Sequence, residues 1–201
     1  MTTTGTDLAR FYADGRARLS TFMATLTDDE LATAVPSCPG WTVQDVLAHV
    51  VSNPSDALAG RISGPPSDEF TAQQVERWRD KPLAEMLSSW DAANGIDAVI
   101  ESFGDAVSAL VIDLHTHEQD VRNAVGRPGA RDVPGLLWAA ERLCSGFTAA
   151  PIPVDGYEAF RARLGRRSRA QVTAWPWTVP DLDAALESFF IFGPRPDALV
   201  E

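Results

Sequence analysis

Asp113-Leu114-His115-Thr116-His117-Glu118-Gln119-Asp120 lies in the middle of a segment, residues 105–125, whose apolar spacing predicts a helix. A helix advances about 100° per residue, so positions four apart share a face. Asp113 and His117 therefore project together, with Asp120 one turn further on. Ala106, Leu110, Val121 and Ala124 fall on that face too, which predicts that it points into a core. A carboxylate or an imidazole buried without a partner is strongly destabilising, so the pair needs a reason to be there. From spacing alone, a metal ion and a hydrogen-bonded Asp–His couple meet that need equally well. His115 lies nearly opposite His117 on the helical wheel. Its position predicts exposure or contact with another helix, and makes it the weaker ligand candidate.

Working outward, the segment stops at Gly126 with Pro128 just beyond, a helix-ending pattern. Ahead of it, Pro82 is placed to open a helix through Leu83, Met86, Leu87, Trp90, Ile96, Val99 and Ile100, with a bend at Gly95. Residues 70–81 predict a shorter helix with Val75 and Trp78 inward, and residues 52–69 a surface loop holding a short helical piece. Thr42 and Asp45 form a capping-box pattern at the start of a helix whose buried stripe is Val43, Val46, Leu47 and Val50. The proline- and glycine-rich turn Val35–Trp41 precedes it, and Trp41 is placed to staple that turn to the core. Residues 6–26 show a clean helical repeat with Thr6 or Asp7 as cap, and Thr27–Glu30 a short turn.

Beyond the central segment, Pro134–Thr148 predicts a helix, Gly156–Leu164 a short one, Gln171–Trp175 a strand and Asp181–Phe190 a last helix. Long helices with one apolar face each predict an all-α antiparallel four-helix bundle over residues 1–148. A small, mostly helical extension over residues 149–201 then packs on it.

The composition narrows the function. The chain has 201 residues, is 45% hydrophobic and carries a formal charge of -11, which argues against nucleic-acid and anionic-membrane surfaces. The Arg166–Arg169 cluster is too small to reverse that. Two cysteines, Cys38 and Cys144, make no disulfide framework, and both read as core thiols. The first residues lack a basic stretch followed by an apolar block, and no apolar run is long enough to span a bilayer. The expectation is a reduced, cytoplasmic protein, monomer or homodimer.

His49 sits at the margin of its helix's apolar stripe, about 60° from Val46. In four-helix bundles, ligand sites form from inward side chains on facing helices. His49 on one helix and Asp113 with His117 on another would make a site of two imidazoles and one carboxylate. Three protein ligands leave one position open, the pattern of catalytic zinc.

The stretch Val35-Pro36-Ser37-Cys38-Pro39-Gly40-Trp41-Thr42-Val43-Gln44-Asp45-Val46-Leu47-Ala48-His49 resembles the first signature of the mycothiol-dependent maleylpyruvate isomerase family. His117-Glu118-Gln119-Asp120, followed by Gly126-Arg127-Pro128, resembles its second. The resemblance covers residues 1–148, and implies a DinB-like bundle holding a divalent metal, zinc in the isomerase. It places the ligands on His49, His117 and Asp113, the last standing where the isomerase carries Glu. It also implies mycothiol, an intracellular sugar thiol, as co-substrate.

In that setting Asp120 is the candidate catalytic side chain, orienting a ligand imidazole or meeting the polar parts of the thiol. Arg122 is the candidate for holding the cofactor, and Arg77 and Arg79 are further candidates for substrate carboxylates. Zinc leads as the metal, with nickel, iron and manganese admitted by the same ligands. The expected function is isomerisation of a small electrophile or S-transfer to it. The alternative is a non-catalytic DinB-like module that binds a ligand or protein partner, with no need of metal.

Overall fold

The computed structural model describes residues 3–62, 64 and 66–201. Residues 63 and 65 of the expected 52–69 loop, and the first two residues of the chain, lie outside the described ones. Two compact units result, Met1–Pro128 and Gly129–Glu201. The described residues form helices and turns, with no strand among them.

The first unit contains α1 (Gly5–Met23), α2 (Asp28–Leu31), α3 (Val43–Leu58), α4 (Asp68–Glu76), α5 (Leu83–Ala92), α6 (Ile96–Phe103) and α7 (Ala109–Ala124). Four layers make the DinB-like bundle: α1, α3, the pair α5–α6, and α7. Side-chain pairings give their directions. Gly15 lies against Leu114, Arg18 bonds Glu118, and Arg127 reaches Thr25, so α1 and α7 run the same way. Asn53 and His49 meet Asp113, while Cys38, just before α3, meets Asp120, so α3 runs against α7. Gln44 reaches the Lys81 carbonyl and Leu58 lies beside Gly95, so α3 and α5–α6 are parallel. Thr6 bonds Glu101 where α1 begins and α6 ends. Two helices thus run each way, and α4 sits in the crossover that parallel neighbours require.

Local chemistry accounts for most boundaries. Thr4 caps α1, its hydroxyl accepting from the Asp7 amide while Asp7 answers the Thr4 amide; the cap falls earlier than Thr6 or Asp7. The Thr42–Asp45 box opens α3 as its sequence predicts. Pro82 stands as the cap of α5 rather than its first helical residue, and the chain breaks at Gly95 between α5 and α6. Gly126, at φ +66°, ends the central helix in the left-handed region. That helix starts later than the spacing predicts. Gly104, at φ +50°, opens a 3-10 turn through Val107, which leaves Ala106 exposed outside α7.

Two expectations are corrected outright. Residues 52–58 are not loop: α3 continues through Pro54 to Leu58. Its polar side chains there are buried and answered, Ser52 accepting from Trp78 at 3.0 Å and Asp56 taking Arg61 at 2.8 Å. The expected strand at 171–175 belongs mostly to helix α10 (Arg169–Thr173), opened by a capping box between Ser168 and Gln171.

The second unit contains α8 (Pro134–Ser145), α9 (Gly156–Arg163), α10 and α11 (Leu182–Glu187). Helix α8 belongs to it, although its helical spacing grouped it with the bundle. Ala140 lies against Gly156, and Phe147 joins a core with Ala162, Val172, Leu186 and Phe189. Arg161 and Arg167 are buried in the same unit, and both pair with Glu201.

Leu47 is fully buried on α3 and Phe103 is 64% exposed. Urea unfolding should report a loss of about 2–5 kcal/mol for Leu47→Ala, from lost burial and the cavity left behind. Phe103→Ala should stay within about 0.5 kcal/mol of the parent.

Candidate metal centre

The site lies where α3 faces α7, roofed by the turn before α3. That turn is closed by its own backbone: Val35 N–H donates to Trp41 O at 2.8 Å and Trp41 N–H to Cys38 O at 3.0 Å. Gly40 takes φ +86°, a conformation that favours glycine. The turn sets the Trp41 ring 5.5 Å from the His49 ring and 6.4 Å from that of His117, centroid to centroid. Trp41 therefore walls the site as well as stapling the turn.

The structure brings His49, Asp113 and His117 together, with one candidate ligand atom from each within 4.8 Å of the others. His49 Nε2 and His117 Nε2 each lie 3.4 Å from Asp113 Oδ1. Two ligand atoms held tetrahedrally at zinc distances are about 3.4 Å apart, so these separations fit a single small cation. The shorter Asp side chain reaches the common point. The side chains of His49 and His117 are 6% and 11% exposed, whereas that of Asp113 is 31% exposed, so the site opens to solvent on the Asp113 side.

The electrostatics agree with a cation there. Burial alone would raise the Asp113 carboxyl, but the His49 and His117 imidazoles override it and hold that group below the usual carboxylate range. Burial alone would lower His117, but the Asp113 carboxylate overrides it, and hydrogen bonds to Asp113 and Asp120 add to raise it well above the usual 6.5. Asp113 and Asp120 together favour a positive charge on His117.

Asp120 is fully buried and lies 3.0 Å from His117 Nδ1. An ionised carboxylate only accepts, so Nδ1 carries a proton towards Asp120; Nε2, facing the Asp113 carboxylate, carries the proton that an ion would replace. The contact is the one that an orienting role for Asp120 requires. Cys38, read from sequence as a core thiol, is half-buried, with its Sγ 3.4 Å from Asp120 Oδ2 and 4.0 Å from His117 Nδ1. Cys38, His117 and Asp120 form a second cluster of metal-capable groups that shares His117 with the first.

His115 is 1% exposed and faces α1, where Arg18 approaches its Nδ1 at 3.4 Å. Burial pushes it down to about 4, with Arg18 adding to the effect and Glu118 opposing it. It takes no part in the site. Arg122 is also on the α1 side of α7: it bonds Glu118 at 3.0 Å and its guanidinium lies 4.2 Å from the Phe22 ring centroid. The structure does not bring Arg122 to the imidazoles. Arg77 pairs with Asp56 and Arg79 with Glu76, neither at the site.

Three polar residues at or behind the site escaped sequence reasoning. Asn53 donates to Asp113 Oδ2 at 2.8 Å, Gln74 lies 2.8 Å from His49 Nδ1, and Asp56 stands behind Gln74 at 2.7 Å. Asn53 carried a usable signal, since it stands four residues after His49 on one helix. Gln74 carried none, because its partner lies in a different helix.

Residues 12–144 match the family described as the mycothiol maleylpyruvate isomerase N-terminal domain. No curated protein and no solved structure matches the chain.

In metal-free protein the two α7 histidines should oppose each other. The folded value of His117 lies above 6.5, so its contribution is complete below pH 6.5 and is lost as pH rises through that folded value. His115 has a folded value of about 4, so its neutral buried state favours folding above pH 6.5 and is lost as pH falls towards 4. The Asp113 contribution is complete above 3.8 and is lost only as pH falls below that through its depressed value. Urea midpoints of metal-free protein should therefore be highest near pH 6.5 and fall on both sides. His115→Leu should flatten the decline between pH 6.5 and 4.

Proposed function

The chain belongs to the mycothiol maleylpyruvate isomerase N-terminal domain family, and we propose that it is a divalent-metal-dependent enzyme that uses mycothiol either to isomerise a small electrophile or, as an S-transferase, to displace a leaving group from it and join it through the thiol sulfur. The observation that carries this reading is the convergence of His49 Nε2, His117 Nε2 and Asp113 Oδ1 at 3.4 Å separations, beneath a wall and beside an opening. His49, Asp113 and His117 would hold the ion, zinc first and nickel, iron or manganese by the same ligand chemistry. When bound, such an ion supplies a net positive seat that favours the thiolate form of a thiol at neutral pH.

The residues of the chain do the rest. Asp120 holds the Nδ1 proton of His117 and so directs Nε2 towards Asp113. Trp41 covers the two imidazoles and excludes water from that side. The partial exposure of Asp113 gives a thiol and an electrophile a common approach. A cytoplasmic location belongs to this reading, as do a monomer or homodimer and the lack of nucleic-acid and membrane partners. The charge of -11 supports it, and no described helix is long and apolar enough to cross a membrane.

One observation favours a second reading, a non-catalytic module that binds its ligand without metal. Asp113 already has the Asn53 amide at 2.8 Å and the His117 imidazole beside it, so its charge is answered by the protein alone.

Metal analysis of protein purified without chelator separates the two. Wild type should carry close to one divalent ion, and His117→Ala less than about a tenth as much, because a lost ligand collapses affinity. Mycothiol should then bind zinc-loaded wild type but not stripped protein or His117→Ala. Equal thiol binding by all three would leave only the metal-free module standing.

A further inference from the structure

We propose that a hydrogen-bond chain running from Asp113 through Asn53 and Gln74 to His49, with Asp56 behind Gln74, fixes a proton on His49 Nδ1. The inference rests on the metal reading in one respect: the fixed proton matters because Nε2 is the atom offered to the ion.

Side-chain amides do not declare by shape which end is nitrogen, but their neighbours here decide it. Asp113 Oδ2 accepts only, so the Asn53 end 2.8 Å away is its nitrogen. Asn53 Oδ1 then points the other way and accepts from Gln74 Nε2 at 3.0 Å. The second hydrogen of Gln74 Nε2 goes to Asp56 Oδ2 at 2.7 Å. With both hydrogens used, Gln74 Oε1 faces His49 Nδ1 at 2.8 Å and accepts, so the proton sits on Nδ1.

Reversing Gln74 would set oxygen against oxygen at both Asn53 and Asp56; reversing Asn53 would do the same at Asp113. Water offers no relief, since Gln74 and Asp56 are fully buried. Asp56 stays an acceptor: burial alone would raise it, but hydrogen bonds from Arg77, Gln74 and Arg61 hold it below the ordinary carboxylate range. Nε2 has two neighbours, Asn53 Nδ2 at 3.3 Å, which fits a lone pair, and Asp113 Oδ1 at 3.4 Å, which would accept a proton, so the chain fixes the proton on Nδ1 and leaves Nε2 as the atom that can exchange a proton for an ion.

Two carboxylates therefore set the polarity of the whole chain of hydrogen bonds. Asp113 does so from the site and Asp56 from the far side of Gln74. Gln74 and Asp56 touch neither ion nor substrate; they are positioning residues. Asp120 performs the same service for His117 in one step, where His49 needs an amide between imidazole and carboxylate.

The test is imidazole 15N spectroscopy on metal-free, histidine-labelled protein near pH 8, together with zinc affinity by chelator competition. Wild type should show His49 with Nδ1 protonated throughout the population. Gln74→Met keeps the volume and removes the acceptor, so it should leave Nδ1 unprotonated in part or all of the population. Its zinc affinity should fall about tenfold, the usual cost of losing an outer-shell partner. Asp56→Ala, at the edge of the hydrogen-bond chain, should shift Nδ1 protonation the same way and serves if Gln74→Met does not fold. A merely structural role would lower the melting temperature and leave Nδ1 protonation unchanged. An unchanged Nδ1–H signal in a folded variant overturns the proposal. Wild type that takes up no zinc sinks the metal reading instead, and the Nδ1 signal of metal-free protein still decides the proposal.

Discussion

Six consecutive residues of α7, His115 through Asp120, are buried, and only Thr116 among them is without a long polar or ionisable head. A helix buried on every side must find a partner for each such group, because the interior makes an unpaired one far more costly than water does. Much of the first unit is arranged to meet that demand. Towards α1, Glu118 takes Arg18 at 2.8 Å and Arg122 at 3.0 Å, and both guanidiniums stay partly exposed. Towards α3 and its preceding turn, Asp120 takes His117 and Cys38.

The helix therefore separates two electrostatic environments. On the α1 side, burial holds His115 neutral against Glu118, whose carboxylate is itself shared by Arg18 and Arg122. On the α3 side, Asp113 and Asp120 flank His117 and favour its charged form, or an ion in place of the proton. Histidines two positions apart in sequence have opposite shifts because about 200° of helix rotation points them at different neighbours. The placement of Arg122 follows from the same geometry. It lies four residues after Glu118, so the pairing that keeps Glu118 satisfied also keeps Arg122 off the α3 side.

Support behind the site extends through two helices. Asn53 on α3 and Gln74 on α4 link the imidazole of His49 to Asp56, whose charge is neutralised by Arg61 and Arg77. This explains why α3 persists past Pro54, where local preference favours a break. Ending the helix there would strand Asp56 and uncouple it from Gln74. The second unit follows the same rule with its own residues: buried Arg161 and Arg167 lie among apolar side chains because Glu201 and Glu158 answer them.

The sequence by itself determined whatever a residue settles with its near neighbours. Helical period, the Thr42–Asp45 cap, the break at Gly95, the stop at Gly126 and the shared face of Asp113 and His117 all depend on spans of a few residues, and all were legible. So was the all-α bundle, since each long helix carries one apolar face that needs another. Tertiary structure alone decided what the polar residues were for. Ser52, Asn53 and Asp56 have the composition of a surface loop and form the buried face of a helix, because Trp78, Gln74, Arg61 and Arg77 arrive from elsewhere in the fold. Cys38 reads as packing and stands beside Asp120; Arg122 reads as a cofactor contact and is taken by Glu118. Apolar burial is non-directional and leaves a periodic trace in the chain, whereas a hydrogen bond is a directed contact between two partners. When those partners lie on different helices, their pairing exists only once the fold has brought them together.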